Sequence, residues 1–240
     1  MRVAVLAIAM LLAGVSLVFP AESGSEGDDG FDNTTYLLDF SDYTEGSVES
    51  WLQTKGFTFE RDAKNRSKLD LDVNDHALIL EAKQAVFGIL VDERVDVKEF
   101  SRIRIEWGVH KYPQGASYAK NVNNEALMIY IFFGYDKISS GAFLIPNSPY
   151  FIGLFLCEDE KVNFPYKGRY FQKGGRFVCL GKPKPGEMVI SEFDLITAFQ
   201  TYFEKDEIPV ISGISLAIDT RKSKGGGKAA AFIKSVEFIE

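Results

Sequence analysis

The chain has 240 residues, and its 34 Asp and Glu outnumber 27 Lys and Arg, giving a net charge of −7 and a pI near 5.1. That balance excludes the basic surface a nucleic-acid binder needs to meet phosphates. Only two Cys and two His occur, and Cys157, Cys179, His76 and His110 lack the spacing of zinc ligands.

Arg2 precedes an uncharged run from Val3 to Phe19, followed by Pro20 and by small residues at Ala21 and Ser23. A basic start, an apolar stretch and a small-residue cut site make residues 1–23 a secretory signal peptide. Retention as a membrane anchor is the alternative, because the run is close to the lower limit of roughly 17 residues for a span. No Cys lies near the cut, so lipid attachment is not expected, nor is membrane contact after cleavage. The expected location is periplasmic or extracellular. Residues 24–34 are acidic and small and read as a flexible tether. Residues 35–240 read as one domain, a size common for single all-β units.

Short apolar or alternating runs then follow one another: LLDF (37–40), FTFE (57–60), LDLDV (69–73), ALILEA (77–82) and FGILV (87–91). From Arg102 to His110 the alternation is strict. Ile103, Ile105, Trp107 and Val109 fall on one face, and Arg102, Arg104, Glu106 and His110 on the other. ALMIYIFFGY (126–135) is apolar on both faces, as in a central strand. FIGLFLC (151–157), RFVCL (176–180), ISLAID (214–219) and AAFIKSVEFI (230–239) complete the set. One helix is expected near 191–205, capped by Ser191 with Asp194 three residues on and carrying a Phe193, Ile196, Phe199, Phe203 stripe. The pattern predicts an all-β, two-sheet β-sandwich of jelly-roll type with one short helix.

The second half runs IRIEWGV and KYPQGA, then NNEALMIYIFFG, CEDEKVNFPYKGRYFQKGGRFVCL, ISGISLAIDT and AAAFIKSVEFI. This succession resembles an exported bacterial family filed as domain of unknown function 3047, over residues 35–240. The resemblance implies a jelly-roll, galactose-binding-like architecture and no established reaction. Asn123-Asn124-Glu125 stands where the family tends to carry paired Asp, which weakens transfer of a charged site.

Arg104, Glu106 and His110 share one strand face and are candidates for ligand contact. Glu125 opens the next strong strand and Asp219 ends a later one. Glu106, Glu125 and Asp219 could therefore converge as the carboxylate pair of a glycoside hydrolase, with His110 or Tyr130 assisting. An ordinary Arg/Glu ladder on a solvated face is the competing reading. The loop between Cys157 and Cys179 interleaves Phe164, Tyr166, Tyr170 and Phe171 with Lys167, Arg169, Lys173 and Arg176. Tyr166, Arg169, Tyr170 and Arg176 are candidates for stacking on sugar rings and pairing with acidic groups. Alternatively, these aromatics fold inward over an open end of the sandwich. Cys157 and Cys179, each ending an apolar run, are expected to form a disulfide in an oxidising space.

No cofactor or metal is expected. Glu158-Asp159-Glu160 and Asp29 could offer oxygens to Ca²⁺ but contain no twelve-residue calcium loop. Gly225-Gly226-Gly227-Lys228 lacks the spacing of a phosphate loop and reads as a hairpin turn. The leading expectation is an exported, non-catalytic glycan-binding or envelope-associated protein. The alternatives are a polysaccharide hydrolase or lyase and a structural, partner-binding envelope module.

Overall fold

The computed structural model describes residues 33–240. The expected signal peptide and all but the last two residues of the expected tether lie outside the described residues. Thr34 already belongs to a strand, so the fold begins one residue before the expected boundary.

The chain forms two sheets. The first has the order β11 (Met188–Asp194), β6 (Arg102–Lys111), β13 (Ala229–Ile239), β4 (Ala77–Ala82), β3 (Leu69–Asn74), and β1 (Thr34–Asp39) also pairs with β13. The second has the order β2 (Thr58–Arg61), β5 (Phe87–Asp92), β12 (Ile211–Asp219), β7 (Glu125–Ile138), β8 (Ser148–Leu156), β10 (Gly175–Gly181), β9 (Pro165–Tyr166). Successive strands repeatedly cross from one sheet to the other, the connectivity of a jelly roll. Neighbours pair antiparallel except β8 and β10, which run parallel.

Period-two alternation explains the core. Ile103, Ile105, Trp107 and Val109 of β6 point inward with Leu78 and Leu80 of β4 and Val236 and Phe238 of β13. Ile129, Ile131 and Phe133 of β7 face them, with Ile152 and Leu154 of β8 and Ile214, Leu216 and Ile218 of β12. The buried indole N–H of Trp107 donates to Ser191 Oγ at 3.0 Å, which satisfies the one polar atom this side chain brings inside.

Among the described residues two α-helices form rather than one. α1 (Val48–Thr54) is capped by Ser47, whose Oγ accepts from Ser50 N, and it buries Val48 and Leu52. α2 (Leu195–Phe203) starts later than expected. Asp194, not Ser191, is its cap, accepting from Thr197 N at 2.8 Å. Residues 188–194 are an edge strand, with Val189, Ser191 and Phe193 turned inward and Met188, Ile190 and Glu192 outward. α2 closes one end of the sandwich through Phe199, which packs on Phe133 at 4.8 Å. The three glycines at 225–227 do not turn a hairpin, because β12 and β13 belong to different sheets. They carry the chain across, and Gly227 at φ +75° passes so close to Ala85 that a Cβ would lie 2.3 Å from its Cα.

Candidate functional site

The outer face of the second sheet is unlike any other surface of the described residues. Residues that point away from the inter-sheet core are Ile89 on β5, Ala217 on β12, Met128, Tyr130 and Phe132 on β7, Phe151 and Phe155 on β8, and Phe177 and Cys179 on β10. They form a second apolar cluster outside the sandwich. Register places Ser215 beside Tyr130 and Val91, and Ala217 beside Met128 and Ile89. The small outward residues of β12, Gly213, Ser215 and Ala217, therefore form a low strip between larger ones on β5 and β7.

Glycines let the rings lie down on this face. A Cβ on Gly153 would sit 3.2 Å from Tyr130 Cε1 and 2.6 Å from Met128 Sδ, and a Cβ on Gly175 would sit 2.4 Å from Phe151 Cζ. Tyr130 and Phe132 stay half-buried. Their ring planes are inclined by only 16° with centroids 6.1 Å apart. Ser215 is 1% exposed, and its hydroxyl has no hydrogen-bond partner. A buried hydroxyl in that state carries a desolvation cost with no compensating bond.

A polar cluster closes one end of the strip. Asp219 and Glu125 are directly paired across β12 and β7, and both are buried. Arg221 holds Asp219 through both carboxylate oxygens, with Nη2 to Oδ2 at 2.6 Å and Nε to Oδ1 at 3.0 Å. Asn124 Nδ2 also donates to Asp219 Oδ1 at 3.4 Å. The Tyr118 hydroxyl donates to Glu125 Oε2 at 2.8 Å. Burial, and then the neighbouring Asp219 carboxylate, push Glu125 up to about 8, so it is chiefly protonated at neutral pH. Tyr118 and Tyr130 are pushed well above the ordinary phenol range by burial and then by Glu125. The guanidinium of Arg221 lies 4.2 Å from the Phe87 ring centroid. Beside Glu125 a recess lined by Tyr112, Asn124, Phe155 and Glu158 has room of only about 10 Å³, enough for one water.

The disulfide loop forms the wall beside this face. Cys157 and Cys179 are joined, with Cα atoms 5.9 Å apart. Tyr118 packs on Phe155 at 4.7 Å and Phe177 at 5.2 Å, and Phe171 packs edge-on against Phe151 at 5.4 Å. The loop aromatics thus split. Phe171 and Tyr166 turn inward, half-buried, while Phe164 and Tyr170 stay exposed.

The candidate residues named from the sequence scatter over four places. Glu125 and Asp219 come together. Glu106 does not join them, because β6 lies in the other sheet and Glu106 points from its outer face. Arg104 stands between Glu192 and Glu237 of the flanking strands, with contacts of 2.8 Å and 3.3 Å, the ladder reading rather than a ligand face. His110 is exposed, its ring 4.6 Å from Phe232 on the same outer face of the first sheet. Tyr166 sits in β9, and its hydroxyl accepts from Lys161 N at 2.9 Å. Arg169 is exposed and covers the Tyr170 ring at 5.4 Å. Arg176 is removed from any ligand surface. One residue out of phase with Phe177, it points inward, where it donates to the carbonyls of Gln172, Gly175 and Tyr202 and lies over Phe203. The acidic triplet is split too, since Glu160 is buried and accepts from Tyr118 N at 2.7 Å while Glu158 and Asp159 face solvent. Among the described residues no three His, Cys, Asp or Glu side chains form a metal-holding group, and no helix is long and apolar enough to cross a membrane. The sequence reading missed Ser215, Phe132, Tyr118 and Arg221. Only Arg221, two residues after a strand-ending Asp, carried a local signal.

No family model and no curated protein matches the chain. Solved structures do. A family 12 xyloglucanase from Bacillus licheniformis in complex with ligand aligns at TM-score 0.44 and 9% identity, covering 87% of this chain and 98% of that one. The Emp46p carbohydrate recognition domain in its potassium-bound form aligns at TM-score 0.42 and 12% identity, covering 86% and 97%. The xyloglucanase domain of NopAA, an effector from Sinorhizobium fredii, in complex with cellobiose, aligns at TM-score 0.41 and 9% identity, covering 78% and 95%.

Proposed function

We propose that the protein binds a glycan, without cleaving it, on the outer face of the second sheet. The observation that carries this reading is the half-buried, nearly parallel Tyr130 and Phe132 beside the low strip of β12, with the unpartnered Ser215 hydroxyl in its floor. Flat rings suit the apolar faces of sugars. Arg221, exposed at the strip's end and held by Asp219, offers donors to sugar hydroxyls beside those rings. The carbohydrate-directed neighbours named above agree with this class of partner. The test is calorimetry against neutral and acidic polysaccharides. Saturable binding that is lost in Tyr130→Ala/Phe132→Ala supports the reading, and indifference of binding to that double change refutes it.

A second reading rests on Glu125, a protonated carboxyl paired with a carboxylate on the facing strand, the arrangement of a general acid and its partner. Sealing of Glu125 under Tyr118 and the clamp of Arg221 on Asp219 weigh against it. Release of reducing ends from any bound polysaccharide, abolished by Glu125→Gln, would establish it.

We also infer that the protein is exported and akin to the family filed as domain of unknown function 3047. Its disulfide belongs to an oxidising compartment, and the sequence of residues 1–23 supplies the signal. A mature N-terminus after Ser23, read by mass spectrometry, is the expected result, and an intact Met1 start on the exported protein would refute cleavage.

A further inference from the structure

At the opposite edge of the sandwich, α1, β2 and the segment after β2 border an open surface hollow of about 220 Å³ lined by Glu49, Gln53, Phe59, Lys64 and Arg66. Its size falls below the roughly 300–1,000 Å³ of drug-sized ligand sites, so it suits a single ring.

Its chemistry is unusual for a surface hollow. Arg66 pairs with Glu49 through Nη2, and Glu49 also accepts from Ser47 Oγ at 3.0 Å, which anchors the pair to α1. Both Nη atoms of Arg66 are buried and neither makes a hydrogen bond, so the contact with Glu49 is a charge pair only. A guanidinium carries five N–H donors and no acceptor, so a buried Nη without a partner is missing an oxygen. The nearby charges are otherwise matched: Lys68 pairs with Asp62 at 3.0 Å and Lys83 with Asp70 at 2.8 Å. Lys64 is exposed and, among the described residues, has no carboxylate partner. With Glu49 and Arg66 cancelling, the wall of the hollow carries one uncompensated positive charge. Phe59 supplies an aromatic face and Gln53 an amide able both to donate and to accept.

We propose that this hollow is a second binding site, for one ring that bears a carboxylate and hydroxyl groups, the chemistry of a uronic acid. The carboxylate meets the exposed Lys64 with the Arg66 guanidinium behind it, the apolar ring face lies on Phe59, and hydroxyls bond Gln53 and Glu49. The site is separate from the outer face of the second sheet and does not depend on that assignment.

The test is calorimetry of the full chain with galacturonate, glucose and a galacturonate trimer. Galacturonate should bind saturably, and glucose should bind at least about tenfold more weakly, as loss of one charge-assisted contact implies. Lys64→Gln, at an exposed position where the fold is indifferent, should weaken galacturonate by about tenfold as well. Tyr130→Ala/Phe132→Ala should leave galacturonate binding unchanged, which separates failure of this proposal from failure of the first. Equal binding of glucose and galacturonate, no effect of Lys64→Gln, or binding of the trimer without the monomer would each overturn the single-ring carboxylate site. Free acid and polymer end are told apart by the trimer: tighter binding than the monomer assigns the natural source to a chain, and equal binding to the free acid.

Discussion

On the first sheet, the outward positions of β6 carry Arg102, Arg104, Glu106 and His110, and flanking Glu192 and Glu237 close on Arg104 from both sides. On the second sheet, the outward positions of β7 carry Met128, Tyr130 and Phe132. Both strands alternate with the same period, so the backbone does not distinguish the two faces. The charged face completes itself, because each guanidinium finds carboxylates one strand away and the rest is hydrated. The aromatic face does not. Its own loops cover Phe151, Phe155 and Phe177, and Tyr130 and Phe132 are left partly open beside a hydroxyl that bonds to nothing. A face that leaves apolar area and a donor unsatisfied is the one that gains from a partner.

The largest expected effect falls on the wall of the aromatic face. Replacing Cys157 and Cys179 together by Ser should cost about 3 kcal/mol in urea unfolding, from the chain entropy released in the 22-residue separation they close. Glycan binding should weaken with it as Phe171 and Tyr118 lose their seat. An unchanged midpoint would show the wall to be held by its aromatics alone.

Next is the pH dependence built into Glu125. Its carboxyl is about 4.5 when unfolded and about 8 when folded, so the folded state binds the proton more tightly. Its contribution is complete below about pH 4.5 and is lost as pH rises to about 8. Glu125→Gln removes that loss. The variant should match the wild type near pH 4.5 and exceed it by a few kcal/mol at pH 9. Parallel stability curves for the two proteins across that range would contradict the protonated assignment.

The two faces differ most directly in Tyr130→Ala/Phe132→Ala. The change should abolish at least about nine-tenths of glycan affinity, or 1.4 kcal/mol. The smallest effect is reserved for the charged face. Arg104→Ala should cost no more than about 1 kcal/mol, shrinking further in high salt, and should leave binding untouched. A loss of binding there would reverse the assignment of faces.

The alternation of β6 was legible because one of its faces is wet. The same reasoning fails on 126–135, where both rows are apolar and nothing in the strand tells inner from outer. That choice is made by neighbours, Gly153 and the small residues of β12, which lie in other parts of the chain. Glu106 parted from Glu125 and Asp219 for a related reason: pairing partners, not the strand itself, decide which sheet a strand joins. Arg176 shows the cost of ignoring phase, since one position beside Phe177 turns it into the core. The Ser191–Asp194 spacing looked like a helix cap, yet Val189, Ser191 and Phe193 alternated with outward residues, and that strand signal was the stronger one. The disulfide and most strand positions needed only local information and were readable.

The last strand has a kinetic consequence. β13 is the common neighbour of β6 on one edge and of β4 and β1 on the other, and it pairs Thr34 with Ile239. Until it arrives, β1 has no partner and the β3–β4 and β6–β11 pairs stay unjoined, and the loop to be closed between β1 and β13 spans nearly the whole domain. Contacts so distant in sequence make folding slow. All strands of the second sheet precede β13 in the chain, so completion of the first sheet is the later event in folding.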